Sequence, residues 1–358
     1  MKILAKLLII VVITGAFCVT SVAKEPEEYI NEFEEILPDE VEERLDPGDG
    51  GASLLGPDAL LSEILSIVQS RQGEIISFLL VVFGTALLIS LSSSLWGELS
   101  GAVSAGVGAL CTTLIFAKIG SIFSEVAGSL SQLSEFFSAA VPVMTAVSAA
   151  SGSASTALVQ NSGMTFTLFL LGGVGNSFFI SVVGLGLAMS LLVSFGDEVS
   201  LSVTKGVRSF FIFCVGAASS VLGAVFALQT VVASAADGAA IRAARYAASG
   251  LIPVVGSAVS GALSTIVSGL AYAKSIIGAG GIAVIALLSL SPLIMLLLYR
   301  FCIALVLAFC NFCGQGGATK MLSAFKFSMD SMIALYTVSV LVYIIEIVMF
   351  MKGGAILS

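Results

Sequence analysis

The sequence predicts an all-α protein: a polytopic transmembrane helical bundle of about seven to nine membrane segments behind a cleavable signal peptide. Three observations predict it. Of 358 residues, 58% are hydrophobic and only 11% charged, against about 25% charged in an average soluble domain. Mean hydropathy is +1.10. Uncharged runs recur along the chain at the length a bilayer requires, about 20 residues. The sequence contains no histidine. That excludes Ser-His-Asp and Cys-His catalysis, His-ligated zinc and His-ligated haem. The expectation is a chain that is not an enzyme, with no catalytic residues, no metal ligands and no cofactor.

Residues 1–23 read as a secretory signal. Lys2 and Lys6 form a basic start, residues 7–19 an apolar stretch, and Ser21-Val22-Ala23 the small residues a signal peptidase reads. The apolar stretch is short for a spanning helix. Cleavage after Ala23 is the preferred reading, and an uncleaved anchor is the alternative. Phe17 is too bulky for lipoprotein processing at Cys18. Either way, residues 24–53 form an acidic arm expected outside the cytoplasm.

Twelve acidic and two basic residues lie between Lys24 and Asp49, a net of −10 against −8 for the whole chain. The low isoelectric point therefore belongs to the arm and not to the body. No basic patch marks a nucleic-acid partner. Tyr29, Phe33, Ile36 and Leu37 have the spacing of one helix face that docks on a partner. The blander alternative is a solvated, disordered arm. Pro47-Gly48-Asp49-Gly50-Gly51 is a linker.

Residues 54–73 predict an amphipathic helix. Pro57 suits its first turn, and Leu60, Leu61, Ile64, Leu65 and Val68 make the apolar stripe. The membrane domain is residues 74–352. Residues 75–96 and 102–123 read as spans, separated by a polar stretch, 124–135, from residues 136–159, which Pro142 interrupts. Residues 164–195 are uncharged. They form either one long tilted helix or two helices joined around Gly172-Gly173, Gly175 and Asn176. Residues 210–232, 251–273, 276–298 and 332–351 continue the series, with Pro292 a candidate kink. Residues 301–313 are a short apolar piece, and 319–330 are amphipathic.

Val141-Pro142-Val143-Met144 resembles Ile252-Pro253-Val254-Val255 at an offset of 111 residues. An internal repeat would place two Pro-initiated segments at equivalent positions, as in many transporters. Irregular backbone at membrane depth survives only where protein or a wet cavity covers it. Pro142 and Pro253 are therefore candidate pathway positions. The alternative is chance similarity between two Ala/Ser/Val-rich helices.

A few residues stand out as chemistry. Asp237, Gly238, Arg242 and Arg245 form the densest charge cluster of the second half and, with Pro253 and Gly256, a candidate gate or partner-docking site, or else an ordinary interfacial loop. Glu346 lies inside the last apolar segment, where an ionisable residue is by default a functional candidate, here for lining the pathway with Pro142. It is also six residues from Lys352, close enough to the end to reach the interface. Lys118 and Lys274 are near span ends and can snorkel. Gly97 and Gly101, Gly216 and Ser220, and Gly261 and Thr265 have the small-residue spacing of close helix contacts, which favours tight packing or a homo-oligomer. Cys310 and Cys313 have the spacing of a redox or zinc motif, but no second pair accompanies them. Buried apolar cysteine is the simpler reading. There is no Walker A sequence, so ATP-driven work would come from a partner.

The stretch Ala236-Asp237-Gly238, then Arg242 and Arg245, then Pro253-Val254-Val255-Gly256 resembles a block of the stage III sporulation protein AE family. The span at 276–298 and the C-terminal hydrophobic hairpin are also similar, and the resemblance runs from about Leu54 onward. It implies a membrane subunit of a complex that links mother cell and forespore in endospore-forming bacteria. The implied location is the mother-cell membrane around the forespore. The implied partners are the other stage III subunits, including a secretion-type ATPase, together with membrane lipid. The implied role is a permease-like component of a channel that sustains late forespore gene expression. The resemblance marks Asp237, Gly238, Arg242, Pro253 and Gly256 without giving them roles. A stand-alone secondary transporter and a membrane scaffold without its own conduit are the alternative functions.

Overall fold

The computed structural model describes residues 24–38, 41, 54, 56–95, 100–151, 154–175, 216–227, 229, 256–314 and 316–352, with scattered positions between 181 and 214. Every regular element among them is helical. In chain order they are α1 (Pro26–Glu34), α2 (Pro57–Ser70), α3 (Gln72–Leu95), α4 (Ser100–Ala150), α5 (Ala154–Leu168), α6 (Gly216–Ala227), α7 (Gly256–Phe312) and α8 (Gly316–Lys352). A π-helical turn, Phe169–Gly175, continues α5. The expected signal, residues 1–23, lies outside the described residues, as do most of residues 176–255.

Four helices are long and apolar enough to cross a bilayer: Gln72–Ser92 of α3, Gly106–Ala150 of α4, Ser268–Phe312 of α7 and Ala318–Lys352 of α8. Leu80, Leu88, Leu110, Leu114, Phe301, Leu305 and Leu341 point outward from them. Water would penalise that surface, whereas lipid tails solvate it as well as a protein core does. The inner faces interlock through Phe78 stacked on Tyr299 at 4.1 Å, Phe83 against Phe309 at 5.2 Å and Phe137 against Tyr343 at 4.9 Å. The fold is thus a polytopic all-α membrane bundle.

Helix continuity departs from the sequence reading. Residues 102–123 and 136–150 belong to one 51-residue helix, α4. The polar stretch between them does not loop out, because its charges find partners. Arg71, at the α2–α3 junction, reaches Glu125 at 3.3 Å, and Ser291 of α7 donates to the same carboxylate at 3.2 Å. Pro142 therefore lies inside a helix and begins no segment. Likewise residues 276–298 and 301–312 form one helix with Pro292 inside it, and residues 319–330 and 332–351 form another. At 45 residues, the apolar parts of α4 and α7 each extend about 68 Å at the helical rise. That is more than twice the roughly 30 Å hydrocarbon core, but each run is one unbroken helix and so makes a single crossing.

Pro292 has no N–H, so it cannot close the helical bond to the Leu288 carbonyl four residues earlier. The neighbours supply the donors. Ser129 Oγ of α4 lies 2.9 Å from the Leu288 carbonyl oxygen and 2.7 Å from Tyr336 Oη of α8. Tyr336 Oη also donates to the Ser289 carbonyl at 3.3 Å. A proline in the middle of a span is tolerated where side chains re-satisfy the freed backbone in this way. Arg300 and Asp330 pair across α7 and α8. The reversal between those helices is made at Gly314, with φ of +71°, the left-handed cap conformation in which a Cβ is costly.

The arm docks. Pro57 and Pro26 each open a helix, as proline's fixed φ favours in a first turn. Tyr29 and Phe33 of α1 are buried, Val41 beyond it is also buried, and Phe33 meets Phe136 edge-on at 6.1 Å. Pro26 sits so close to Gly269 of α7 that a Cβ there would lie 2.9 Å from it. The expected helical face is thus a packing face, and its acidic side stays outward. Lys24, hydrogen-bonded to Glu32 at 3.0 Å, has its ammonium held above the usual lysine range by that bond. In α2, Leu61 and Leu65 remain exposed while Ile67 is buried. The predicted stripe is thus split: Leu61 and Leu65 face outward, while Leu60, Ile64 and Val68 are half-buried.

Candidate functional site, a polar seam inside the bundle

Apolar helices cross a membrane because their backbone bonds are internal, so a buried polar side chain must find its own partner. One group of such side chains gathers where α4, α5 and α8 meet. Gln160, Gly163 and Thr167 fall three and four residues apart, hence on one face of α5. Tyr336, Tyr343, Glu346 and Phe350 fall on one buried stripe of α8. Ser148 faces them from the last turn of α4.

The contacts form a row. Ser148 Oγ donates to Gln160 Oε1 at 3.0 Å, and Gln160 Nε2 donates to the Met349 carbonyl at 3.0 Å. Two turns further along α5, Thr167 Oγ1 donates to Glu346 Oε1 at 2.8 Å. Glu346 is 1% exposed, and its second oxygen, Oε2, has no partner. Gln229, at 6% exposure, lies beside the same carboxylate yet closes no hydrogen bond of ordinary geometry with either amide atom. Its amide fits only because residue 163 is glycine: a Cβ there would lie 1.4 Å from Gln229 Nε2. The π-helical turn Phe169–Gly175 begins two residues after Thr167. Turns of this kind concentrate at functional sites.

The sequence candidates distribute as follows. Glu346 sits in the seam, buried from the surface of the bundle. Pro142 faces outward from α4, between buried Val141 and buried Val143. Asp237, Gly238, Arg242, Arg245 and Pro253 lie outside the described residues, and so does the second copy of the suspected repeat. Gly256 is the first residue of α7. Lys118 is exposed and reaches Ser77 at 3.3 Å. Lys274 does not snorkel. It is 5% exposed, with its ammonium 5.2 Å from the Phe350 ring centre, because the small Gly278 and Gly281 on its own helix let α8 approach closely. Gly216, offered as half of a packing pair, faces open space. Among the described residues, the glycines at close approaches are Gly163, Gly172, Gly269, Gly278 and Gly281. Cys310 is buried and Cys313 exposed, and both are free thiols.

Gln160, Thr167 and Gln229 carried no sequence signal of function. Glutamine inside an apolar run is the one feature that could have found two of them.

A bundle of lipid-facing helices around an incompletely paired polar seam defines a helical membrane protein of the multi-span class. The stage III sporulation protein AE family model matches residues 56–354, and the chain belongs to that family. It is similar to the stage III sporulation protein AE of Bacillus subtilis (strain 168), at 20% identity over 227 residues. That alignment covers 63% of this chain and 57% of the relative, so the match spans little more than half of the relative's length. No solved structure matches the fold. Family membership brings a role in sporulation.

Proposed function

We propose that this chain is a permease-like, non-enzymatic membrane subunit of a sporulation-specific transport channel linking mother cell and forespore, required for late forespore gene expression. The observation that carries the reading is the seam: a carboxylate and two glutamines buried among apolar helices, in a chain of a sporulation family. Polar groups at membrane depth are costly and are retained where something polar must be held or passed. A scaffold alone has no use for the unpaired atoms. The chain has no phosphate-binding loop, so nucleotide hydrolysis falls to a partner, a secretion-type ATPase among the other stage III subunits. The proposed location is the mother-cell membrane around the forespore, with lipid and further copies of the chain as other partners and no nucleic acid.

A stand-alone secondary transporter is the second reading, and the unpaired Glu346 Oε2 is the observation that favours it. Deletion in the source organism separates the two. The channel reading expects engulfment to complete while heat-resistant spores and a late forespore reporter are both lost. Normal sporulation on deletion would defeat it. Substrate uptake by the purified chain alone in vesicles would favour the transporter.

A further inference from the structure

We propose that Glu346, Gln229 and Thr167 form a monovalent-cation site inside the bundle, occupied by a proton or by sodium. Three independent observations converge on it. Glu346 is buried with Oε2 unpartnered, and Gln229 is buried with both amide atoms unpartnered beside it. Gly163 leaves the space in which that amide sits. A π-helical turn, a feature that concentrates at functional sites, begins two residues after Thr167.

The chemistry is that of an incomplete oxygen set. Thr167 donates its hydroxyl hydrogen to Glu346 Oε1, which fixes the carboxylate plane and leaves the threonine oxygen's lone pairs available. A proton from solvent placed on Oε2 turns it into a donor, and the amide of the neighbouring Gln229 carries an oxygen that can accept it. One added proton thereby satisfies two orphaned atoms. Sodium in the same place would take Oε2, Gln229 Oε1 and Thr167 Oγ1 as oxygen ligands. Either occupant removes an uncompensated buried charge, which apolar surroundings penalise heavily.

The charged and titratable groups around this end of α8 are few. α5 presents Gln160 and Thr167, and α4 presents Ser148, none of which titrates. α8 itself carries Tyr343 one turn before Glu346 and Lys352 at its end. α7 brings Lys274 to the Phe350 ring, one turn beyond Glu346.

The test is infrared difference spectroscopy on the purified full-length chain in lipid nanodiscs, with sodium addition as one arm and a pH step as the other. The expected result is a buried carboxylic-acid C=O band that shifts in deuterium oxide and is absent from Glu346→Gln. Loss of the band on sodium addition, with carboxylate bands replacing it, identifies competition between sodium and proton. Indifference to sodium identifies the proton alone. Thr167→Val and Gln229→Leu keep the carboxyl. They should shift the band or weaken sodium competition about ten-fold, so the test survives if Glu346→Gln does not fold. Wild type showing neither the band nor a sodium response overturns the proposal, and so does an unchanged signal in Glu346→Gln. Binding is read on the isolated chain, so its failure leaves the sporulation reading standing, and the converse holds.

Discussion

At the Pro292 layer, α4, α7 and α8 meet through Ser129, Tyr336, the freed Leu288 carbonyl and the Ser289 carbonyl, and each hydroxyl has a partner within hydrogen-bond distance. At the Glu346 layer, α4, α5 and α8 meet through Ser148, Gln160 and Thr167. There Glu346 Oε2 and the Gln229 amide are left over, the only buried side-chain polar atoms without a partner among the described residues. Both layers rest on α4 and α8 and both are shielded from solvent. The difference is in pairing. A closed set of hydrogen bonds repairs a proline and holds helices together. An open set costs free energy in the folded state and is a place for something else to bind.

If the first layer is structural, the largest loss of stability comes from Tyr336→Ala, which removes a fully buried ring and both of its bonds. The expected cost is about 3–5 kcal/mol by analogy with large core truncations, measured by reversible unfolding in bicelles. Tyr336→Phe keeps the ring and loses only the hydroxyl bonds, about 0.6 kcal/mol on the scale of interhelical hydrogen bonds in membranes. Equal effects for the two variants would show that packing contributes nothing there, and would break the comparison.

Gly163→Ala probes the second layer by geometry. Its Cβ must push the Gln229 amide out of the seam, and that amide is the far end of a flexible side chain. Alanine gains up to about 1 kcal/mol of helix propensity over glycine. Unfolding stability should therefore change little, while the sodium and proton response described above is lost. A large destabilisation would make Gln229 a structural wedge.

The smallest stability effect is expected from Glu346→Gln. The amide oxygen still accepts from Thr167, and no charge is left to bury, so stability should hold within about 0.5 kcal/mol or rise. Spore yield in a strain carrying only this variant should nevertheless fall towards that of the deletion. A stability loss as large as that of Tyr336→Ala would place Glu346 with the scaffold.

Much of this was legible in the chain itself. Hydropathy and the absence of histidine gave the class. Pro57 marked a helix start, the spacing of Tyr29 and Phe33 marked a docking face, and Glu346 stood out as a charge in an apolar run. Gly172, Gly173 and Gly175, where the sequence allows either a break or one long helix, lie in a π-helical turn that continues α5. These are local properties, set by the 3.6-residue period and by what each residue type costs in lipid.

Only the tertiary structure decided which faces meet. In water, polarity sorts a helix into an inside and an outside. In a bilayer the outside is apolar too, so Leu80, which faces outward, and Val82, which is buried, read alike in sequence. The continuity of α4 through its polar stretch depended on Arg71, which lies 54 residues from Glu125. The burial of Lys274 depended on the close approach of α7 and α8. The seam depended on Thr167 meeting a carboxylate 179 residues away, and on the space that Gly163 leaves for Gln229. No periodicity encodes such meetings. They are fixed when the helices pack and each buried polar atom either finds a partner or, as at Glu346, is left without one.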